Sequence, residues 1–485
     1  MLDSFTNIVM VPNFMGQKSI IETSEKPNMK DNMQDALKNN DHSQENPAKG
    51  EIEGNHHGNA SQQIDQMRLV LKNNLSRQRL FMMQACIHCG ICAEACHYYC
   101  STEDPDLIPA NKLERVSLIL EKYFHPFKLR LSFWGGKRSI GDREILELFK
   151  TAYESCTLCG KCALTCPMGI NTGEILYIAR AMLCSIGRLP AGLMEPVKIA
   201  TEQGNFIGMS TDDFIDTIEW IGEEMEDEIN VENFSIPIDK EEAEVLYIPH
   251  PVEIRDWPLL VMYPVKIFNA AGEDYTLSSY AFDPVNYAYY QGSKDNMMRI
   301  AQRKLDAREK LKAKSIVLAP CGHGYRVLRW EAEKCLGKRH SFPVLTMVEL
   351  IDHYIQIGRI QLEKETVDGP VTFHDPCNIA RRGGVVQAPR NILNALTSHF
   401  VEMQPNSARN FCCGGGGGLG ALTDYAQKRI TMGKTKVDQI LQTGAKIVVT
   451  SCFNCMTQIR QLVQAYDLGV EVKSIVEIVS SALKS

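Results

Sequence analysis

Thirteen of the seventeen cysteines in this chain fall into three compact patterns, and only Cys100, Cys184, Cys321 and Cys335 lie outside them. Cys86, Cys89, Cys92 and Cys96 follow C-x2-C-x2-C-x3-C; Cys156, Cys159, Cys162 and Cys166 repeat it, followed by Pro167. A cubane [4Fe–4S] cluster needs four thiolates converging on a small core. The close triplet supplies three, and where two such runs occur together the fourth cysteine of each ligates the other cluster. The expected ligand sets are therefore Cys86, Cys89 and Cys92 with Cys166, and Cys156, Cys159 and Cys162 with Cys96. His97 stands where the second run has proline. Gly90, Ala93, Gly160 and Ala163 are small enough to let backbone amides reach the sulfides. Zinc sites need only paired C-x2-C units, so two complete runs argue for clusters. Cys100 is a candidate spare ligand, but the expectation is a buried free thiol.

The third pattern is Cys377, the pair Cys412-Cys413, and Cys452-x2-Cys455. Cys377 and Cys452 each end a strand-like stretch, the edge where open α/β sheets place ligands. The run Gly414 to Gly418 suits close backbone approach to a bulky group. It contains a formal G-x-G-x-x-G (Gly415, Gly417, Gly420), yet adjacent cysteines precede it and no well-placed strand with a downstream acid is evident, which argues against a dinucleotide loop. The constellation resembles the CCG-type cysteine-rich domain of the heterodisulfide reductase family. That resemblance implies a noncubane [4Fe–4S] cluster on the five thiolates Cys377, Cys412, Cys413, Cys452 and Cys455, at the catalytic centre. Cys321-Gly322-His323-Gly324 occupies an earlier equivalent place with glycine at the second position, so no complete second noncubane cluster is expected. Cys321 either lies near the intact site, holding or exchanging a sulfur substrate, or is a packed vestige. His323 and His374, beside these cysteines, are candidates for proton relay, with a structural role as the alternative.

The elements that must position these groups change character along the chain. Residues 1–63 form a polar tail whose composition, from about 17 to 61, reads as disordered. Ile64, Met67, Leu71 and Leu75 recur at helical spacing, Arg143 to Tyr153 leads into the second run and Gly173 to Leu183 leads out of it. Residues 64–200 thus read as a helical two-cluster domain resembling ferredoxins, and the acid-rich stretch 201–243 as a solvated helical linker. Beyond it, strands such as Val245–Ile248, Ser315–Leu318, Val371–Phe373 and Lys446–Val449 alternate with helical stretches, predicting α/β units on a parallel sheet. Ile316 to Gly324 echoes Ile447 to Cys455, and Phe342 to Leu350 echoes Val470 to Ile478. The expected fold class is α + α/β, with a degenerate first half at 244–365 and a cysteine-bearing second half at 366–485.

A net charge of −7 gives no electrostatic reason to bind nucleic acid. No apolar run approaches the roughly 18 residues of a membrane span, and Met1 to Gly16 lacks the basic start of a signal peptide. Membrane association is expected only through partners. The stretch Lys128, Arg130, Lys137, Arg138 and Arg143, with Phe133 and Trp134, is a candidate partner-facing or lipid-facing surface.

The order of a helical two-cluster domain, an acidic linker and a CCG-type domain resembles the D subunit of heterodisulfide reductase. Phrases such as Ala319-Pro-Cys-Gly-His-Gly-Tyr-Arg326 and His374-Asp-Pro-Cys-Asn-Ile-Ala-Arg381 look like the K subunit of the membrane complex associated with dissimilatory sulfite reductase. The resemblance covers roughly residues 64–483. It implies a protein on the cytoplasmic face of the membrane, held by a membrane cytochrome b subunit and other members of a quinone-linked complex. Electrons would pass through two cubanes to the noncubane site, where a disulfide or trisulfide is reduced on a small sulfur-carrier protein with C-terminal cysteines. The rivals are an iron–sulfur subunit of a glycolate- or lactate-type dehydrogenase, whose family usually keeps both CCG motifs, and an electron conduit with no substrate of its own.

Overall fold

Helix Ala60–Asn74 turns Ile64, Met67 and Leu71 inward and leaves Leu69 outside, which is the stripe a 3.6-residue period produces. It packs on helix Thr172–Ser185, whose Ile175, Leu176, Ile178, Met182 and Leu183 are all buried. The computed structural model describes residues 60–124, 140–229 and 231–484. The expected disordered tail, save its last residues, lies outside the described residues. So does the basic stretch from Lys128 to Arg138 with Phe133 and Trp134; only Arg143 of that group is described, in helix Asp142–Phe149.

The first helix ends before the first cysteine run because Ser76 starts another, its hydroxyl accepting from the Arg79 amide at 3.2 Å. Helix Asp142–Phe149 opens with a Glu144 carboxylate reaching back to the Gly141 amide and closes in a π turn, Lys150–Glu154, that delivers the chain to Cys156. Helix Thr211–Ile229 carries the acids, but it is not a free-standing linker. Phe214, Ile218, Ile221 and Met225 are fully buried at spacings of four, three and four, and Phe214 stacks on Phe282 at 4.2 Å. The apolar stripe was hidden in the sequence by the density of carboxylates around it.

The second part of the chain holds two four-stranded parallel sheets. The first runs β2-β1-β3-β4, from β1 (Val245–Ile248), β2 (Tyr275–Thr276), β3 (Ser315–Leu318) and β4 (Val344–Thr346). The second runs β6-β5-β7-β8, from β5 (Val371–His374), β6 (Phe400–Val401), β7 (Ile447–Thr450) and β8 (Glu471–Ser474). The two orders are the same, so the sequence echo is a structural duplication. It extends to the caps: Thr346 with Glu349 and Ser474 with Glu477 each form a capping box at the equivalent helix start. Helices cover the sheets, and β1, β5 and β7 are buried along their whole length, as parallel strands require. The fold is α + α/β.

Candidate metal centres

β5 and β7 are neighbours in register, His374 opposite Thr450, so their carboxyl ends lie side by side. Cys377 leaves β5 after Asp375-Pro376. Cys452 leaves β7 after Ser451 and caps helix Phe453–Tyr466, which carries Cys455 in its first turn. The Asp375 turn is locked by Arg390, whose two terminal nitrogens each donate to the buried carboxylate at 2.8 Å, and by the Ser407 amide at 2.7 Å. Cys412 and Cys413 arrive from the loop after β6. All five cysteines line one cavity of about 370 Å³ with His374, Asn378, Gly416, Asn454 and, from the first half, Tyr290, Gly322 and His323. Cys413 and Cys455 sulfurs are 3.5 Å apart. A hydrogen bond between the Cys377 and Cys412 thiols holds Cys412 well below its ordinary pKa and lifts Cys377.

The glycine run reaches this cavity through Gly416 and is not built as a nucleotide loop. Short 3-10 turns flank it, no strand runs directly into it, and it packs on the second cysteine run. Gly417 has φ +69°, and a Cβ there would lie 2.6 Å from the Thr157 Cα.

In the helical part, Cys86, Cys89, Cys92 and Cys166 line a cavity of about 610 Å³ with Ile87, His88, Ile91, Pro167 and Met168. Cys96, Cys156, Cys159 and Cys162 line another, of about 370 Å³, with His97, Tyr98, Lys112 and Thr157. These are the crossed groupings. The donor sets fit iron–sulfur clusters. Each cavity is lined by four or five thiols and no carboxylate, the donor chemistry of soft metals. Burial pushes Cys156 up to about 11 and Cys162 up to about 12, so these thiols lose their protons only to a positively charged core. Lys112 donates to Cys96 at 3.5 Å and to the Ser155 carbonyl at 2.6 Å.

The first and second cavities share Thr172 in their linings. The rim of the first is exposed: Ile87 is 79% accessible, Ile91 47% and Met168 49%. The second abuts the five-cysteine site. His97, replacing the proline, is buried against both Cys159 and Cys412; desolvation opposes its charge, but the thiolates outweigh that and raise its pKa. Arg381 donates to the Cys159 carbonyl at 3.0 Å, and to the Ala408 and Asn410 carbonyls. Arg180, fully buried, donates to Cys156 at 2.8 Å, Gly417 at 2.7 Å, Tyr290 at 3.0 Å and Ala152 at 2.9 Å, all backbone carbonyls.

Cys321 is buried but does not line the cavity; its sulfur lies 3.7 Å from His323 Nδ1. His323 does line it, and burial, with the charge of Lys304, pushes its pKa down to about 3. A complete second site is sterically closed: a Cβ on Gly324, the counterpart of Cys455, would lie 2.0 Å from the Pro284 carbonyl. Cys100 is exposed rather than buried, its thiol against the Glu94 carbonyl at 3.4 Å, and it lines none of the three cavities. Sequence reasoning missed Tyr290, Asn378, Asn454, Arg180 and Arg381. Position next to a cysteine could have flagged the two asparagines, and Arg381 closes the family-like phrase that begins at His374; nothing marks Tyr290 or Arg180.

Residues 371–460 match the family model of a cysteine-rich domain, and residues 82–170 that of a 4Fe-4S dicluster domain. The Hdr-like menaquinol oxidoreductase iron-sulfur subunit 2 of Archaeoglobus fulgidus is 26% identical over 462 residues, 85% of this chain and 82% of the relative. The D subunit of the dihydromethanophenazine:CoB–CoM heterodisulfide reductase of Methanosarcina barkeri is 27% identical over 417 residues, 84% of this chain and 96% of the relative. A probable membrane-anchored ferredoxin of Chromohalobacter salexigens is 30% identical over 341 residues, 68% of this chain and 48% of the relative. Among the described residues, no helix is long and apolar enough to cross a membrane.

Proposed function

Because the chain is an iron–sulfur protein of the type found as the D subunit of heterodisulfide reductases, we propose that it is the electron-transferring and substrate-reducing member of a quinone-linked membrane complex. On this reading Cys86, Cys89, Cys92 and Cys166 hold one cubane, Cys96, Cys156, Cys159 and Cys162 the other, and Cys377, Cys412, Cys413, Cys452 and Cys455 a noncubane [4Fe–4S] cluster. A membrane cytochrome b partner delivers electrons on the cytoplasmic face. The substrate is a disulfide or trisulfide of dissimilatory sulfur metabolism, borne by a small carrier protein with C-terminal cysteines. The clusters, when bound, supply single-electron transfer, whereas cleaving an S–S bond to two thiols consumes two electrons and two protons.

The observation that carries the reading is the convergence of five cysteines, drawn from three separate segments, on one cavity against the second cysteine run. The protein supplies the rest. The exposed rim of Ile87, Ile91 and Met168 offers the first cavity to a partner. Arg180 and Arg381 hold the second cavity's loop against the five-cysteine loops. Tyr290, Asn378 and Asn454 present polar atoms where a bound sulfur compound must be held between two electron deliveries; Asn378 donates to the Tyr290 hydroxyl at 2.9 Å. Exchanging Cys412 or Cys413 for alanine is expected to cut disulfide turnover to below about a hundredth while both cubane paramagnetic signals persist. Retained turnover refutes the reading, as does a wild-type signal indifferent to added disulfide or thiol, which is the behaviour of a conduit.

A further inference from the structure

His374 is the last residue of β5, wholly buried, and lines the five-cysteine cavity. A ring nitrogen of this histidine and the sulfurs of Cys413 and Cys455 lie within 4.8 Å of one another. Taken alone, that geometry would suit a sixth ligand to a metal. The residues behind the ring say otherwise.

Lys436 is a buried ammonium that can only donate, and it donates to Asn410 Oδ1 at 2.7 Å and to Gln439 Oε1 at 2.5 Å. Gln439 is fixed in turn through its amide nitrogen, which donates to the Gln404 and Pro405 carbonyls at 3.0 and 2.9 Å. With its oxygen committed to Lys436, the Asn410 amide can turn only its nitrogen the other way. That nitrogen donates to the Asp375 carbonyl at 3.2 Å and faces His374 Nδ1 at 3.4 Å. An Nδ1 that faces an N–H must accept, so the ring's proton sits on Nε2. Nε2 is buried and has no protein partner among the described residues. A nitrogen already carrying a proton cannot ligate iron.

Resting on the cluster assignment proposed above, we infer that His374 is a permanent N–H donor to a sulfur held in the five-cysteine cavity, its tautomer set from behind by the Lys436–Asn410 chain. His374 is thus a positioning residue, and it need not gain or lose a proton to act. Burial and the charge of Lys436 hold its pKa well below the ordinary value. An N–H aimed at a cluster or cysteine sulfur stabilises the more negative, reduced state and raises the reduction potential.

The test uses the full-length, cluster-loaded protein with ¹⁵N-labelled histidine, read by electron–nuclear double resonance on the signal of the five-cysteine cluster. We expect a weak ¹⁵N coupling together with an exchangeable-proton coupling, both lost in His374→Phe. His374→Gln, which returns an N–H near the same place, keeps the proton coupling and loses the nitrogen one. The reduction equilibrium of that cluster should shift about tenfold toward the oxidised form in His374→Phe, about 59 mV for one electron, with both cubane potentials unmoved. Should the Phe variant not retain its cluster, the labelled wild type and the Gln variant still decide. A large ¹⁵N coupling, as from a nitrogen bound to iron, overturns the inference; so does the absence of any histidine coupling that His374→Gln removes. A wild-type protein with no third cluster signal would overturn the cluster assignment itself, an outcome distinct from a cluster present but uncoupled to His374.

Discussion

Replacing Arg180 by methionine should loosen the junction between the second cysteine run and the five-cysteine cavity. The guanidinium is fully buried, has no carboxylate partner among the described residues, and places its hydrogen bonds on four backbone carbonyls from three regions: Ala152 and Cys156 of the helical part, Tyr290 of the first α/β half, and Gly417 of the glycine run. Burial of an unpaired cation is costly, and its pKa is lowered accordingly. Four hydrogen bonds from a charged donor contribute about 6–12 kcal/mol gross, at about 1.5–3 each. Desolvating the guanidinium takes back several of these. The net loss in Arg180→Met, whose stem fills much of the same volume, is then about 3–5 kcal/mol. Read as a thermal midpoint, this corresponds to a fall of about 5–10 °C. Arg180→Lys should recover less than half, because one ammonium cannot span carbonyls that a planar fork reaches together. If the proposed clusters occupy these cavities, the same variants should slow reduction of the one at the five-cysteine site relative to the one in the second cavity, since the Cys156 loop and the Gly417 loop lose their shared donor. A midpoint within about 2 °C of wild type, with unaltered reduction of the third site, would refute this reasoning.

Two further outcomes follow from single positions. Gly417→Ala places a Cβ 2.6 Å from the Thr157 Cα at a φ of +69°, whereas Gly420→Ala meets only the Gly415 carbonyl at 3.4 Å; the first should cost more than about 2 kcal/mol and the second less than about 0.5, compared by thermal unfolding. Glu253 lines a cavity of about 390 Å³ between the halves, and burial raises its pKa from 4.5 to about 8. Since the folded value lies above the unfolded one, the stability this carboxyl contributes is present at acid pH and lost as pH rises from about 4.5 through 8. The ceiling is about 5 kcal/mol, and its half-buried side chain is partly screened. Glu253→Gln should therefore stabilise the protein by about 1–2 kcal/mol at pH 8.5 and by almost nothing at pH 4, measured by denaturant unfolding at both.

Much of the site was legible because thiol chemistry leaves dense traces in sequence. The crossed pairing of Cys96 and Cys166 follows from the spacing of two runs, and the ends of β5 and β7 were marked by β-branched stretches that stop at Cys377 and Cys452. The residues that join the parts left no such trace. Arg180 lies among aliphatic residues in a helix and reads as one surface cation, because its four partners are carbonyls, which every residue has. Helix Thr211–Ile229 read as solvated since its acids outnumber the four apolar residues that bury it. Cys100 read as buried from residue type alone, and only the fold shows that it faces outward.

The first α/β half makes the same point about absence. Its glycine at 324 could be read as a ligand lost by drift, leaving a symmetric site with one cluster missing. The backbone shows a different arrangement: the Pro284 carbonyl occupies the space a side chain at 324 would need. The neighbouring residues of the same turn, Gly322 and His323, together with Tyr290, form one wall of the cavity whose other walls carry the cysteines. Gly322 lies close enough to Cys452 that a Cβ there would be 3.4 Å from its sulfur. A cysteine and a second cluster on this side would fill the face of the cavity that is free of thiols. The duplication has therefore become a division of labour, in which one half supplies the five thiols of the cavity and the other a polar wall that faces them.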